Sequence, residues 1–290
     1  MTDPHDTSRP RLTDRQALDR HRARARLDTA GFLHDEARAE LQERLLDVNR
    51  SFTTPAIVTP FPTRWADFLP DAVVVPDAEV LALEEGAHDL VCHVMGLHWA
   101  EDPVGQLVQC RRALQPDGLL LVAMLGGETL HELRTVLAQA EAEVMGGLSP
   151  RVAPMGEIRD LGGLLGRVGL SLPVADRLPH RVSYPSMFTL IRDLRDMGET
   201  NALAARHKAP PPRAYFPRAA QIYAESFPAG AGRITATFEL VFLTGWSPHE
   251  SQQKPLRPGS AAARLAEALD TTEFDETARP VPAPPKRGQE

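Results

Sequence analysis

The chain has 290 residues and a formal charge of −7, with 42% hydrophobic and 24% charged residues. That is enough for one large α/β domain with its own core and no disulfide or metal staple. Cys92 and Cys110 stand in no ligand-like spacing, which argues against a zinc site or a disulfide framework and fits a reducing compartment. The net negative charge gives no reason to expect nucleic-acid binding.

No apolar run approaches the ~20 residues of a membrane helix, and the polar start of the chain, with Asp3 and Asp6, has no signal-type apolar region. Arginines cluster between Arg15 and Arg26, but Asp14, Asp19 and Asp28 among them are unlike a transit peptide. The expected address is the cytoplasm.

Residues 1–13 read as a frayed, disordered N-terminus. From Asp14 to Asn49 Leu18, Leu27, Phe32, Leu41 and Leu45 recur among charges, which predicts helices with a break at Gly31. The stripe Arg20, Arg22, Arg24, Arg26 reads first as a solvated helix face. Its sharper alternative is a clamp over a site mouth or a docking surface for an acidic partner.

Ala56–Val58, Ala72–Val75 and Asp89–Met95 have strand composition. A helix over Pro103–Leu114 ends at the turn Pro116-Asp117-Gly118, and Leu119–Leu125 reads as a buried parallel strand closed by Gly126-Gly127. This rhythm indicates βαβ units and a doubly wound sheet. Helices are expected at Glu128–Val144, Arg159–Val168, Phe188–Met197 and Phe216–Phe227, and an antiparallel strand at Ile234–Gly245. Val182 and Tyr184 open a further apolar stretch, Pro210-Pro211-Pro212 breaks the pattern, and a last helix is possible at Ala261–Leu269.

These residues carry a family resemblance. Asp89-Leu90-Val91, Leu97-His98-Trp99 and Arg112 through Pro116-Asp117-Gly118 to Val122 resemble the second half of a class I S-adenosylmethionine-dependent methyltransferase. Asp77-Ala78-Glu79 looks like its adenine-side segment. Further blocks narrow the likeness: Gly126–Leu133, Gly147–Arg151, Asp160–Gly166, Met197–Asn201, Ala236–Phe238 and Gly245–Gln252. Together they resemble the methyltransferase-like assembly factor 5 family of mitochondrial complex I and its bacterial relatives. The malonyl-carrier-protein methyltransferases of biotin synthesis are similar more distantly.

The resemblance implies an α/β, Rossmann-like class I methyltransferase fold with an N-terminal helical lid (14–50), a methyltransferase-like domain (51–250) and a Pro/Ala-rich, largely disordered tail (251–290). It covers roughly residues 12–262. By family the cofactor is S-adenosylmethionine, and the implied partner is a subunit of NADH dehydrogenase.

One place departs from the pattern. Such enzymes carry a G-x-G-x-G loop after the first strand, where small residues let the backbone approach the cofactor. Here those positions fall on Thr59, Phe61 and Thr63, with Pro60 and Pro62 between them. A β-branched pair and a phenyl ring replace hydrogens, and two prolines remove amide donors.

A ribose-binding acid is expected ~20 residues after the loop, about where Asp77 lies. Two strands cannot fit between Phe68 and Glu84, so the sheet reads as shortened by one βα unit, the second strand being the one expected to be lost. The residual cofactor-side candidates are Asp77, Met95, His98 and Trp99, at carboxyl ends of strands. Trp99 reads more simply as core packed on the following helix, and His98 as a partly exposed histidine bonded to a carboxylate.

His34 with Glu36, and His98 with Glu101, are loose pairs too unspecific for an iron site; His34 reads as part of a solvated helix face. Gly198–Asn201 and His249–Gln252 suit either partner contacts or helix caps and turns. The expectation is a chain degenerate for methyl transfer that serves in complex I assembly or as a protein-interaction module. The alternative is an active methyltransferase or a protein-arginine hydroxylase.

Overall fold

The computed structural model describes residues 11–252 together with 271, 272 and 279. Its strands are β1 (Pro55–Val58), β2 (Val73–Val75), β3 (His88–Val94), β4 (Leu114–Leu125), β5 (Ser171–Tyr184) and β6 (Ile234–Trp246). They lie in one sheet in the order β2-β1-β3-β4-β6-β5. β1 pairs in parallel with β2 and β3, β3 in parallel with β4, and β6 runs antiparallel between β4 and β5.

The side chains of the inner strands alternate between two cores, as a strand's two-residue period requires. Leu119, Leu121, Ala123 and Leu125 of β4 face one layer together with Ile57 and Cys92. Leu120, Val122 and Met124 face the other with Ala56, Val58 and Val91. Helices α3 (Phe32–Val48), α6 (His131–Met145), α8 (Met187–Met197) and α9 (Tyr215–Ser226) cover the first layer, and α5 (Pro103–Ala113) and α7 (Ile158–Arg167) the second. Burial on both faces is why these strands read as continuous apolar runs.

A single strand, β2, lies between Phe68 and Glu84, and it pairs directly with β1. The sheet is therefore shortened there, as the spacing predicts. β5 is the element the sequence pattern hides. It is an edge strand, largely half-buried or exposed, and it carries Pro173, Pro179, Asp176, Arg177 and Arg181. Edge strands tolerate proline and charge because one side of the backbone needs no partner.

The N-terminal helical region is broken twice, into α1 (Arg15–Arg22), α2 (Leu27–Ala30) and α3. Asp14 caps α1, its carboxylate accepting from Ala17 N. Residues 11–13, placed by composition in the frayed terminus, are held: the amides of Leu12 and Thr13 donate to the Glu101 carboxylate, and Thr13 forms a β-bridge with Leu203. No described helix is long and apolar enough to cross a membrane. Residues from Glu250 form a separate unit, and the helix expected at 261–269 and most of the tail lie outside the described residues.

Candidate functional site

The parallel strands β2, β1 and β3 end side by side, and their carboxyl ends carry Asp77, Thr59 and Met95. This is the edge at which open α/β sheets bind ligands. Here Thr59, Asp77 and Met95 are buried, and a cavity of about 990 Å³ lined by Arg22, Pro60, Phe61 and Thr63 opens beside them.

Thr59 is fully buried; its amide donates to Val75 O, and its hydroxyl accepts from Phe61 N at 3.2 Å. A four-residue helix α4 (Pro62–Trp65), opened by Pro62, follows instead of an extended glycine loop. Phe61 packs edge-on to the His34 ring at 5.3 Å. Its Cζ lies 3.4 Å from where a side chain on Gly198 would begin, at a φ of +84°. Thr63 is exposed.

Asp77 is buried and held by arginines from the N-terminal helix. Arg22 Nη1 donates to both carboxylate oxygens, at 3.1 and 2.9 Å, and Arg15 Nη2 donates at 3.0 Å. The side chains of Arg22 and Asp77 are 6% and 3% exposed. Gly96 lets this happen: a β-carbon there would stand 2.8 Å from Asp77 Oδ2. The expectation of a solvated arginine stripe therefore fails at Arg22, which is buried; Arg26 stays 69% exposed while pairing with Asp196 at 2.8 Å. Arg20 and Arg24 are exposed, as expected. Arg15 and Arg22 stand seven residues apart, two helical turns, so both reach the same acid.

Next along the edge, Met95 is buried and adopts a φ of +55°. A 3-10 turn, Leu97–Trp99, then aims His98 and Trp99 inward. Both meet Glu199, just past the left-handed cap of α8 at Gly198. His98 Nε2 lies 3.2 Å from Glu199 Oε2, and Trp99 Nε1 donates to the same oxygen at 2.6 Å. His98 is partly exposed and bonded to a carboxylate, as the sequence suggests, but the exposure is not that of its side chain, which is 1% exposed. Trp99 packs on Ala17 and Leu18 of α1 and on Ala202 and Leu203, rather than on the helix that follows it.

Burial alone would raise the Glu199 pKa. The charge on His98 and the hydrogen bonds from His98 and Trp99, with Arg22 nearby, outweigh it and bring it to about 2. Glu199 is thus an inward-facing anion, and the Gly198–Asn201 cluster is built into the fold. Asn201 ties the segment down by donating to Pro150 O and accepting from Leu203 N.

Glu199 and Trp99 also line a cavity of about 290 Å³. Its walls are Leu125, Leu130, Leu133, Leu137, Met155 and Leu194, with Tyr215 and Asn201 as further polar groups. Judged by burial, Trp99 and Leu125 lie deep and Glu199 is partly buried, its side chain 12% exposed, whereas Arg195, His207 and Phe216 are exposed. Arg151 and Arg206 also line it, but they are committed to Glu141 and Asp14 at 2.7 and 2.9 Å. The sequence offers little sign of this cavity, because its walls come from five separate segments and read as ordinary core.

The loose histidine–acid pairs do not form. His34 is buried and not solvated; it accepts from Trp65 Nε1 at 3.1 Å, and burial is the main cause that pushes its pKa down to about 4. Glu36 is exposed. Glu101 is taken by the Leu12 and Thr13 amides, away from His98. Among the described residues no group of three or more His, Cys, Asp or Glu side chains is placed to hold a metal ion.

Comparison with known proteins agrees with this architecture. A family model described as "Methyltransferase domain" matches residues 37–122. The chain is 39% identical over 220 residues to "Arginine-hydroxylase NDUFAF5, mitochondrial" of Danio rerio, covering 76% of this chain and 68% of the relative. It is 40% identical over 199 residues to the human protein of that name, covering 69% of this chain and 57% of the relative. A "Malonyl-[acyl-carrier protein] O-methyltransferase" of Xylella fastidiosa is 31% identical over 179 residues, 62% of this chain and 58% of that one. With a shortened class I methyltransferase sheet and this identity across most of its length, the chain belongs to the NDUFAF5 family of methyltransferase-like proteins.

Proposed function

We propose that this chain receives a positively charged side chain of a partner protein and acts in the assembly of respiratory complex I. On this reading it does not hold S-adenosylmethionine in the ordinary methyltransferase manner. The partner would be a subunit of NADH dehydrogenase. The observation that carries the reading is the partly buried Glu199 carboxylate, paired with His98 and lining a largely apolar cavity. Its volume, about 290 Å³, is at the lower end for ligand pockets, ~300–1,000 Å³, and suits one side chain. The aliphatic walls match the stem of arginine or lysine, and the carboxylate its charged end. The names of the relatives, arginine-hydroxylases, point to arginine.

Loss of the cofactor site is supported by the neutralised Asp77 and by Phe61 in the loop. Adenosyl recognition would have to displace two arginine contacts from Asp77 and move a ring packed on His34. For the compartment we propose the cytoplasm, on the acids Asp14, Asp19 and Asp28 among the arginines, although the NDUFAF5 relatives are named mitochondrial.

The test is calorimetric titration with short peptides carrying a central arginine or a central citrulline, its uncharged isostere. The reading expects binding of the arginine peptide and its loss with citrulline. Equal binding of the two would contradict it. A second reading, an active protein-arginine hydroxylase or methyltransferase, is favoured by the buried His98–Glu199 pair beside the cavity. Mass spectrometry of the arginine peptide after incubation with S-adenosylmethionine, or with dioxygen, iron(II) and a reductant, seeking one added methyl group or oxygen, decides between the two.

A further inference from the structure

Two arginines of the stripe are held in ion pairs, one buried and one at the surface, and the other two are not. Arg22 and Arg26 bind Asp77 and Asp196. Arg20 and Arg24 are exposed, and among the described residues neither makes an ion pair; Arg20 Nε donates only to Gln16 O. Arg20 lies on α1 and Arg24 in the turn that follows it, where its amide donates to His21 O. His21, between them in sequence, has its Nδ1 3.1 Å from the carbonyl oxygen of Thr200, a residue of the cavity lining. After burial, which acts first, the charges of Arg206, Arg20 and Arg24 all depress the His21 pKa, so their fields converge on this lip.

Arg195 and His207 line the cavity and are exposed, Arg195 making no ion pair among the described residues, and the exposed Lys208 follows His207 in the chain. The acids of this region are already neutralised: Asp14 by Arg206, Asp19 by Arg15 and Asp196 by Arg26. What remains is a local surplus of positive charge on a chain whose formal charge is −7.

We propose that this strip, Arg20, Arg24, Arg195 and Lys208, is a docking surface for an acidic segment of the partner protein, whose single cationic residue enters the cavity. The proposal rests on the cavity reading above and adds the chemistry of the flanking residues. A single carboxylate inside, paired with His98, and cations outside suit a sequence of opposite pattern, a basic residue among acids. This arrangement rejects uniformly basic and uniformly acidic segments alike. The strip is short and set with paired acids, and the overall negative charge repels extended polyanions. A protein segment therefore fits it better than a nucleic acid or a lipid surface.

The test uses the full chain and fluorescently labelled short peptides, followed by anisotropy. One peptide has a central arginine flanked by glutamates, one the same arginine flanked by glutamines, and one the glutamate flanks around alanine. The glutamate-flanked arginine peptide is expected to bind about tenfold more tightly than the glutamine-flanked one at low salt, the advantage shrinking at ~150 mM ionic strength. The double variant Arg20→Glu/Arg24→Glu, with its fold checked by circular dichroism, is expected to lose that advantage while still binding the glutamine-flanked peptide.

Equal affinity for the two flanks, or an advantage untouched by the double variant, would overturn the proposal, as would no binding of any peptide. If central alanine binds as well as central arginine, the cavity reading fails and the docking strip stands on its own. If phosphatidylserine vesicles or a DNA duplex bind more tightly than the acidic peptide, and the double variant abolishes that, the strip serves a polyanion and the proposal is wrong.

Discussion

Arg22 Nη1 lies 2.9 Å from Asp77 Oδ2, and the two side chains are 6% and 3% exposed. An ion pair so enclosed joins the N-terminal helix to the carboxyl edge of the sheet, where a class I methyltransferase would recognise its nucleoside. Breaking such a pair from one side leaves a buried charge without its partner. Arg22→Ala is expected to destabilise the fold by about 3 kcal/mol, near the low end of ~3–5 for buried pairs because Arg15 still reaches Asp77. Chemical denaturation measures it. The double variant Arg22→Met/Asp77→Leu should cost less than the sum of the two singles, by about 1–3 kcal/mol of coupling.

Restoring glycines tests whether the loop alone excludes the cofactor. Thr59→Gly/Phe61→Gly/Thr63→Gly would open the space now filled by the Phe61 ring. It would leave Asp77 between its two arginines. The expected calorimetric result is no heat with S-adenosylhomocysteine at millimolar concentration, in a variant shown to be folded. Clear binding would show that the Asp77 pairing is no barrier.

Glu199→Gln keeps the shape of the cavity wall and removes its charge. A charge-assisted contact contributes roughly twice a neutral one, so affinity for an arginine-centred peptide should fall about tenfold or more. Because the Glu199 pKa is lowered to about 2, its charge is constant between pH 5 and 8. The affinity of the native chain should show no carboxylate titration across that window.

Stability, by contrast, should fall on mild acidification. The His34 pKa is depressed to about 4 from an ordinary value of 6.5, so between those values the unfolded chain takes up a proton that the folded one refuses. The unfolded state then binds more protons, and stability drops as pH falls through that window, by up to about 3 kcal/mol from this residue. His21 and His93 are shifted in the same direction. Glu199, whose depressed pKa lies lower still, adds a loss only as pH falls below the ordinary carboxylate range towards 2. His34→Gln, which keeps an acceptor for Trp65 Nε1, should flatten the profile between pH 7 and 4 in urea unfolding.

How far the sequence reveals this molecule depends on burial. Leu119–Leu125 and Leu90–Val94 are buried on both faces, and their largely apolar runs, broken only by His93, announce a parallel sheet. β5 sits at the edge, where proline and charge carry no penalty, so its period is masked. The missing glycines are legible because a backbone approach demands small residues, and Thr59, Phe61 and Thr63 are not small. Arg22 is hidden by its neighbours: four alternate arginines look alike in a string, and only the shared helix face of Arg15 and Arg22 marks the pair that turns inward. Glu199 is visible as a polar residue after α8, but its contact with His98 and Trp99 spans about a hundred positions. Local pattern cannot show that.

The most direct measurement is calorimetric titration of the folded, purified chain with S-adenosylhomocysteine and, in parallel, with S-adenosylmethionine. The account predicts no heat of binding at millimolar ligand, since Arg15 and Arg22 hold Asp77 and Phe61 stands where the family's loop carries a glycine. Saturable binding at micromolar concentration would contradict it and show that the strand ends still open to the nucleoside.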